Sequence, residues 1–203
     1  MPLQVARVAL TKTSVGRALL AQPVYDTEIV KAATATTQIR FFSNVLNQAD
    51  ASAVITSKNY GETNLTQSGQ LPQGYRFEMH SFNVLFVSDT AGTVLGRTDC
   101  DQMTKGAWLV LTISGITVAQ LPLIKIPFGI GPDVSTDTNT NRQNYMLGSS
   151  HISNKMNMKM GKYNPTIESG ESFGATLTWP ASITQTVSTR VLLTLNGIYV
   201  QPV

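Results

Sequence analysis

Two histidines supply the first chemistry to weigh in this chain of 203 residues. His80 stands two residues after Glu78. Residues two apart share a face of an extended strand, so this pair could bind a metal or shuttle a proton. It lacks the second histidine or the Cys-x-x-Cys pair that a zinc site would add, and it reads better as a solvated or interfacial pair. His151 follows Ser149 and Ser150, but adjacent residues on a strand point apart and form no Ser–His hydrogen bond there. Asp99 and Asp101 flank Cys100, the single cysteine. Two neighbouring carboxylates disfavour a thiolate, and the following Gln102-Met-Thr-Lys is a poor continuation of a calcium loop.

Other motifs are weaker. Gly129-Ile-Gly-Pro-Asp carries the glycines of a phosphate loop, yet it has a proline where free N–H groups are wanted and no Lys-Ser or Lys-Thr follows. Asn64-Leu-Thr66 matches a glycosylation acceptor with no signal peptide to support it. Lys155, Lys159 and Lys162 form a basic cluster among methionines, without an aromatic stacking platform. The residues therefore predict no enzyme, no cofactor, no metal site and no small-molecule substrate.

The elements that would carry these residues are strands. Tyr75, Phe77, Met79 and Ser81 alternate with Arg76, Glu78 and His80, the period of a half-buried strand. Beyond Ser81 the pattern becomes a nearly continuous apolar run to Val87, as expected where a strand dives into a core. Thr37–Phe42, Ala107–Ile113, Ile116–Leu121, Ser172–Trp179 and Arg190–Val200 have the β-branched and aromatic content of strands. Ser114-Gly115 predicts a tight hairpin between two of them. Pro122 and Pro127 make Leu123–Ile126 an edge strand or an extended connection, and Pro180 is expected to stop the strand before it. A short helix fits around Asp26-Thr-Glu-Ile-Val-Lys, and Asp99-Cys-Asp reads as a polar excursion. The count is about eight strands. The fold class predicted is all-β: a single antiparallel β-sandwich of jelly-roll type over residues 36–203, preceded by an extended N-terminal arm over residues 1–35.

Composition bounds the role. Charged residues make up 13% of the chain, about half the ~25% usual in soluble domains. Surfaces poor in charge commonly meet other protein surfaces, although an extracellular β-domain has the same texture. The net charge of +3 is too small to imply nucleic acid by itself. Its placement says more, because Arg7, Lys12 and Arg17 all precede the first acidic residue, Asp26. The expectation is a retained basic arm rather than a removed presequence. A lone cysteine excludes a disulfide framework, and no apolar run approaches the ~20 residues of a membrane-spanning helix.

Three segments carry a resemblance. They are Glu62-Thr-Asn-Leu-Thr-Gln-Ser-Gly-Gln-Leu-Pro with Tyr75-Arg-Phe-Glu-Met, Gly170-Glu-Ser-Phe-Gly-Ala-Thr-Leu-Thr-Trp-Pro180, and Arg190-Val-Leu-Leu-Thr-Leu-Asn-Gly-Ile-Tyr-Val200. Their order and texture resemble the jelly-roll major capsid proteins of tailless icosahedral bacteriophages and related uncultured viruses, over about half of the chain. The resemblance implies a shell-forming structural protein located in the virion, assembled from copies of itself, with other capsid or vertex proteins as further partners. It implies one roll per subunit and an inner face toward the genome or an internal membrane, for which Arg7, Lys12 and Arg17 are the candidates. Leu65, Gln67, Gln70 and Leu71, in the loop before Tyr75, are the candidate subunit contacts. Two other readings stand beside it: a secreted or cell-surface β-sandwich that binds carbohydrate or protein, and a cupin-like enzyme. A lectin-like groove would need exposed aromatics, and both Trp108 and Trp179 are expected in the core.

Overall fold

The computed structural model describes residues 11–12, 17–91, 93, 95–126, 128–130 and 164–202. Those residues form eleven strands and one α-helix. The strands are β1 (Thr11–Lys12), β2 (Arg17–Leu20), β3 (Val24–Val30), β4 (Thr36–Phe41), β5 (Arg76–Ser88), β6 (Trp108–Ile113), β7 (Ile116–Pro122), β8 (Phe128–Ile130), β9 (Thr166–Glu168), β10 (Phe173–Ile183) and β11 (Thr189–Pro202). Helix α1 spans Arg97–Thr104, and a 3₁₀ turn covers Leu123–Lys125.

The strands make two packed sheets. In the larger, the long partners β5 and β11 run antiparallel at the centre. β3 and β2 share the far side of β11, with β1 outside β2. β9 and β8 share the far side of β5, β8 in parallel. The smaller sheet has the order β4-β10-β6-β7. Between β3 and β7 the chain changes sheet at every step except the β6–β7 hairpin, and it does so again from β9 to β10 and from β10 to β11.

The core lies between the sheets. Val191, Leu193 and Leu195 of β11 and Phe82, Val84 and Phe86 of β5 face Leu109 and Leu111 of β6, Phe173, Leu177 and Trp179 of β10, and Phe41 of β4. The apolar run in β5 has a specific cause. Ser81 pairs with Asn196, but Met79 pairs with Gly197, so β5 carries one extra residue, His80, at this point. Such a bulge shifts the alternation by one. Phe77 and Met79 point inward before it; Phe82, Val84 and Phe86 point inward after it. The strand does not become buried on both faces, since Asn83, Leu85 and Val87 stay partly exposed. Gly197 makes the bulge possible: a Cβ there would lie 2.0 Å from the Glu78 carbonyl oxygen.

Several expectations are corrected. The arm does not extend to residue 35, because β3 is a buried strand paired along β11 from Val24 to Val30. The same pairing replaces the helix expected at Asp26. The excursion at Asp99-Cys-Asp is helix α1. Leu123–Lys125 is a 3₁₀ turn, with Leu123 buried. Pro180 does not end β10, which carries exposed Pro180, Ala181 and Ser182 through a register shift and re-enters the core at Ile183. The expected hairpin is present, with Ser114 and Gly115 both at positive φ, 50° and 77°, the twist that two-residue hairpins require.

Candidate functional site

Strand β3 is the edge that needs explaining, for it places Asp26 and Glu28 on the same face as Val24 and Val30, toward the core. Ionised carboxylates in such a place are costly unless paired. Lys58 supplies the partner from the long β4–β5 connection: its Nζ donates to Asp26 Oδ1 and to Glu28 Oε1, each at 2.7 Å. The three side chains are 0–1% exposed. Asp26 Oδ2 accepts from the Phe42 N–H at 2.6 Å and Glu28 Oε2 from the Ala51 N–H at 3.1 Å. Burial pushes both carboxyls above their ordinary range, Glu28 to about 6, against the opposing pull of the Lys58 ammonium.

The same connection grips β3 on its other side. Asp26 and Thr63 form an antiparallel bridge. Thr63 Oγ1 donates to the Tyr25 carbonyl, and Asn64 accepts from the Tyr25 N–H while donating to the Pro23 carbonyl at 2.7 Å. The Tyr25 hydroxyl donates to the Tyr60 carbonyl at 2.5 Å. Arg190, beside inward Val191 on β11 and so on the opposite face, donates to Glu62 at 3.0 Å and to Asp89 at 2.7 Å. Residues 58–64 therefore straddle β3, with Lys58 on the core face and Glu62 on the outer face. Free strand edges invite pairing with other chains, and this one is covered.

Farther along, the connection crosses to the smaller sheet. Gly69 donates to the Phe42 carbonyl and accepts from the Phe173 N–H, both at 2.7 Å. Its φ of +56° and a 2.7 Å approach of any Cβ to the Phe173 oxygen require glycine. On either side, Leu65 and Leu71 are 1% exposed. This corrects the expected contact set: both leucines are spent on the chain's own core and offer no side-chain surface to a neighbour. Gln67 and Gln70 remain exposed at the turn, and Tyr60 is 71% exposed.

The remaining sequence candidates fall as follows. Lys12 and Arg17 have backbone in β1 and β2; their side chains, Arg7, His151 and the lysines at 155, 159 and 162 lie outside the described residues. His80 Nε2 is 3.4 Å from Glu78 Oε1 on a partly exposed face. The Asn164 amide, donating to that oxygen at 2.9 Å, holds the Glu78 carboxyl below its ordinary range. Asp99 and Asp101 do not converge: Asp99 is buried and accepts from the Thr186 N–H and hydroxyl at 2.9 and 2.6 Å, whereas Asp101 is exposed. Asn64 spends its amide nitrogen on Pro23, which removes the glycosylation reading. Trp179 is core, its indole donating to the Met103 carbonyl at 2.9 Å. Trp108 is not: it is half-buried and lines a cavity of about 630 Å³ with Asp101, Lys105, Pro122 and Ile124.

Comparison of the chain with protein-family models, curated proteins and solved structures finds no match. Function must therefore be read from the geometry. Among the described residues no three His, Cys, Asp or Glu side chains cluster as metal ligands. The Lys58 cluster is closed to any substrate by its own burial, and its product is mechanical: it fixes a long connection across a sheet edge. Sequence reasoning missed it because Lys58 lies 30 residues from Glu28, with no local spacing to join them.

Proposed function

We propose that this chain is a self-assembling capsid subunit with the jelly-roll winding, acting in the virion as one of many identical copies. The observation that carries the reading is strand order. With β3, β4, β5, β6, β7, β9, β10 and β11 taken as first to eighth, one sheet runs first-eighth-third-sixth and the other second-seventh-fourth-fifth. With β1, β2 and β8 left aside, this order supports the jelly-roll reading, an architecture of two Greek keys used by capsid and lectin domains. The low charge of 13% suits repeated subunit contacts, and individual contacts can be weak because a closed shell multiplies them. The rigidly held β4–β5 connection supports the same reading, since Tyr60, Gln67 and Gln70 stand exposed on a buried scaffold. The basic residues Arg7, Lys12 and Arg17 are assigned to the genome or membrane side.

One observation favours a second reading, a carbohydrate- or protein-binding module: half-buried Trp108 lines an apolar cavity flanked by Asp101 and Lys105. Light scattering with negative-stain imaging separates the two. Uniform rings, shells or multimers support the capsid subunit. A monomer unchanged by salt and concentration overturns it and directs attention to glycan-array binding at Trp108.

A further inference from the structure

We propose that the cavity beside Trp108 is a carbohydrate site, in which a sugar ring stacks on the indole while its hydroxyls meet the polar groups around it. The proposal rests on the binding-module reading and names its ligand class; assembly is judged by its own test. The alternation of β6 puts the tryptophan there. Leu109, Leu111 and Ile113 face the core, so Trp108, Val110 and Thr112 fall on the outer face of the smaller sheet.

The two tryptophans of the chain differ in one decisive respect. Trp179 is core and spends its indole N–H on the Met103 carbonyl. Trp108 is half-buried, and among the described residues its indole N–H donates to nothing. Indole donors that are taken out of water ordinarily find a partner, so this one is left for a ligand. Pro122, the cross-strand partner of Trp108, and Ile124, 71% exposed, supply further apolar lining. The turn from α1 into β6 adds Thr104, Lys105 and Gly106. That turn is held in place: Lys105 N–H donates to the Asp101 carbonyl at 2.9 Å, and the Ala107 carbonyl accepts from Leu123 N–H at 2.8 Å. Gly106 sits at a φ of +72°. The lining is therefore formed before a ligand arrives, and its volume of about 630 Å³ is that of a small-molecule site.

The lining selects the ligand class. A sugar ring presents an apolar C–H face bordered by hydroxyls that both donate and accept. Trp108, Pro122 and Ile124 suit the face. The indole N–H and the Lys105 ammonium donate to hydroxyls. The Thr104 hydroxyl, spent as a donor on the Cys100 carbonyl at 2.9 Å, can still accept, as can the Asp101 carboxylate, which also has a contact within the chain. A lone ion is disfavoured, because Asp101 and Lys105 are opposite in sign. An extended peptide added to the neighbouring edge is disfavoured too. Pro122 has no N–H to give it, and the β6–β7 ladder shifts register between Leu111 and Thr112.

The test is a glycan array probed with the full chain, followed by calorimetric titration of the oligosaccharides that bind. Tryptophan emission is expected to shift on binding, with the Trp179 signal as a constant background. Trp108→Phe keeps a ring but loses the N–H, and is expected to weaken binding about tenfold. Ile124→Ser alters a side chain that lies mostly in water, so the fold is unaffected, and is expected to weaken binding about threefold. Circular dichroism verifies folding of both. Glycan binding that neither variant changes lies elsewhere on the chain and overturns the proposal, while the binding-module reading stands. If no glycan binds but peptides from a random library do, and Ile124→Ser weakens them, the ligand class is overturned and the binding-module reading again stands. If neither glycan nor peptide binds, both fall.

Discussion

Lys58 Nζ stands 2.7 Å from Asp26 Oδ1 with neither side chain exposed to water, so a residue of the β4–β5 connection is joined by charge to the first core strand, β3. The connection would otherwise have to hold its place by turns alone. Removing one member of a buried ion pair leaves an uncompensated charge, typically at about 3–5 kcal/mol. Lys58→Met is expected to destabilise the fold by that amount, because two carboxylates lose their shared partner. Urea unfolding at pH 7.5 checks it, and Lys58→Met combined with Asp26→Asn and Glu28→Gln should recover part of the loss.

The same cluster sets a pH dependence whose sign differs from that of ordinary paired carboxylates. Burial raises Glu28 to about 6 and raises Asp26 as well. A raised carboxyl binds its proton more tightly in the folded state, so its contribution is fully present below the unfolded value near 4.5 and is lost as pH rises through about 6. Stability is therefore expected to increase by about 1 kcal/mol from Glu28 between pH 7.5 and pH 5, and Glu28→Gln should flatten this rise. Glu78, held low chiefly by Asn164, works in the opposite sense, but only as pH falls below the usual carboxylate range. Urea midpoints from about pH 2.5 to pH 8 separate the two windows.

How far the sequence disclosed this arrangement follows from where each signal lies. The β6–β7 hairpin and the inward faces of β10 and β11 were legible, because alternation and Ser114-Gly115 are local. β3 was not, since Asp26 and Glu28 occupy inward positions and break the apolar pattern that marks a buried strand; their partner is remote. Leu65 and Leu71 looked like loop residues free to meet a neighbour because polar residues surround them, and only the Gly69 crossing shows why they point inward. Pro180 looked terminal, but its position among three exposed residues lets the strand continue without losing an inner ladder bond.

Asp99 ties helix α1 to the β10–β11 turn. It is buried and accepts three hydrogen bonds, from the Thr186 N–H and hydroxyl and from the Val187 N–H at 3.3 Å. Asp99→Ala strands these donors, at about 2–3 kcal/mol given the worth of charge-assisted bonds. Thermal melting is expected to show a lowered Tm for Asp99→Ala and a smaller drop for Asp99→Asn, which retains one acceptor oxygen. Hydrogen exchange at the Thr186 and Val187 amides should speed up in the alanine variant.

Gly197 provides the most local prediction. The bulge that turns Phe82, Val84 and Phe86 inward sits opposite Gly197, where a methyl group would meet the Glu78 carbonyl oxygen at 2.0 Å and the Phe77 ring at 2.7 Å. The first of these is backbone, so no rotamer change relieves it, and β5 and β11 must separate at the centre of the larger sheet. Overpacking of a core typically costs 1–3 kcal/mol, and Gly197→Ala is expected at about 3 kcal/mol in urea unfolding. Gly115→Ala offers the contrast: its Cβ would meet nothing within 4 Å, leaving only the strain of a φ of 77°, about 1 kcal/mol. A Gly197→Ala loss no larger than that of Gly115→Ala would mean that the two central strands can part at the bulge without cost, and that the phase shift in β5 does not depend on glycine.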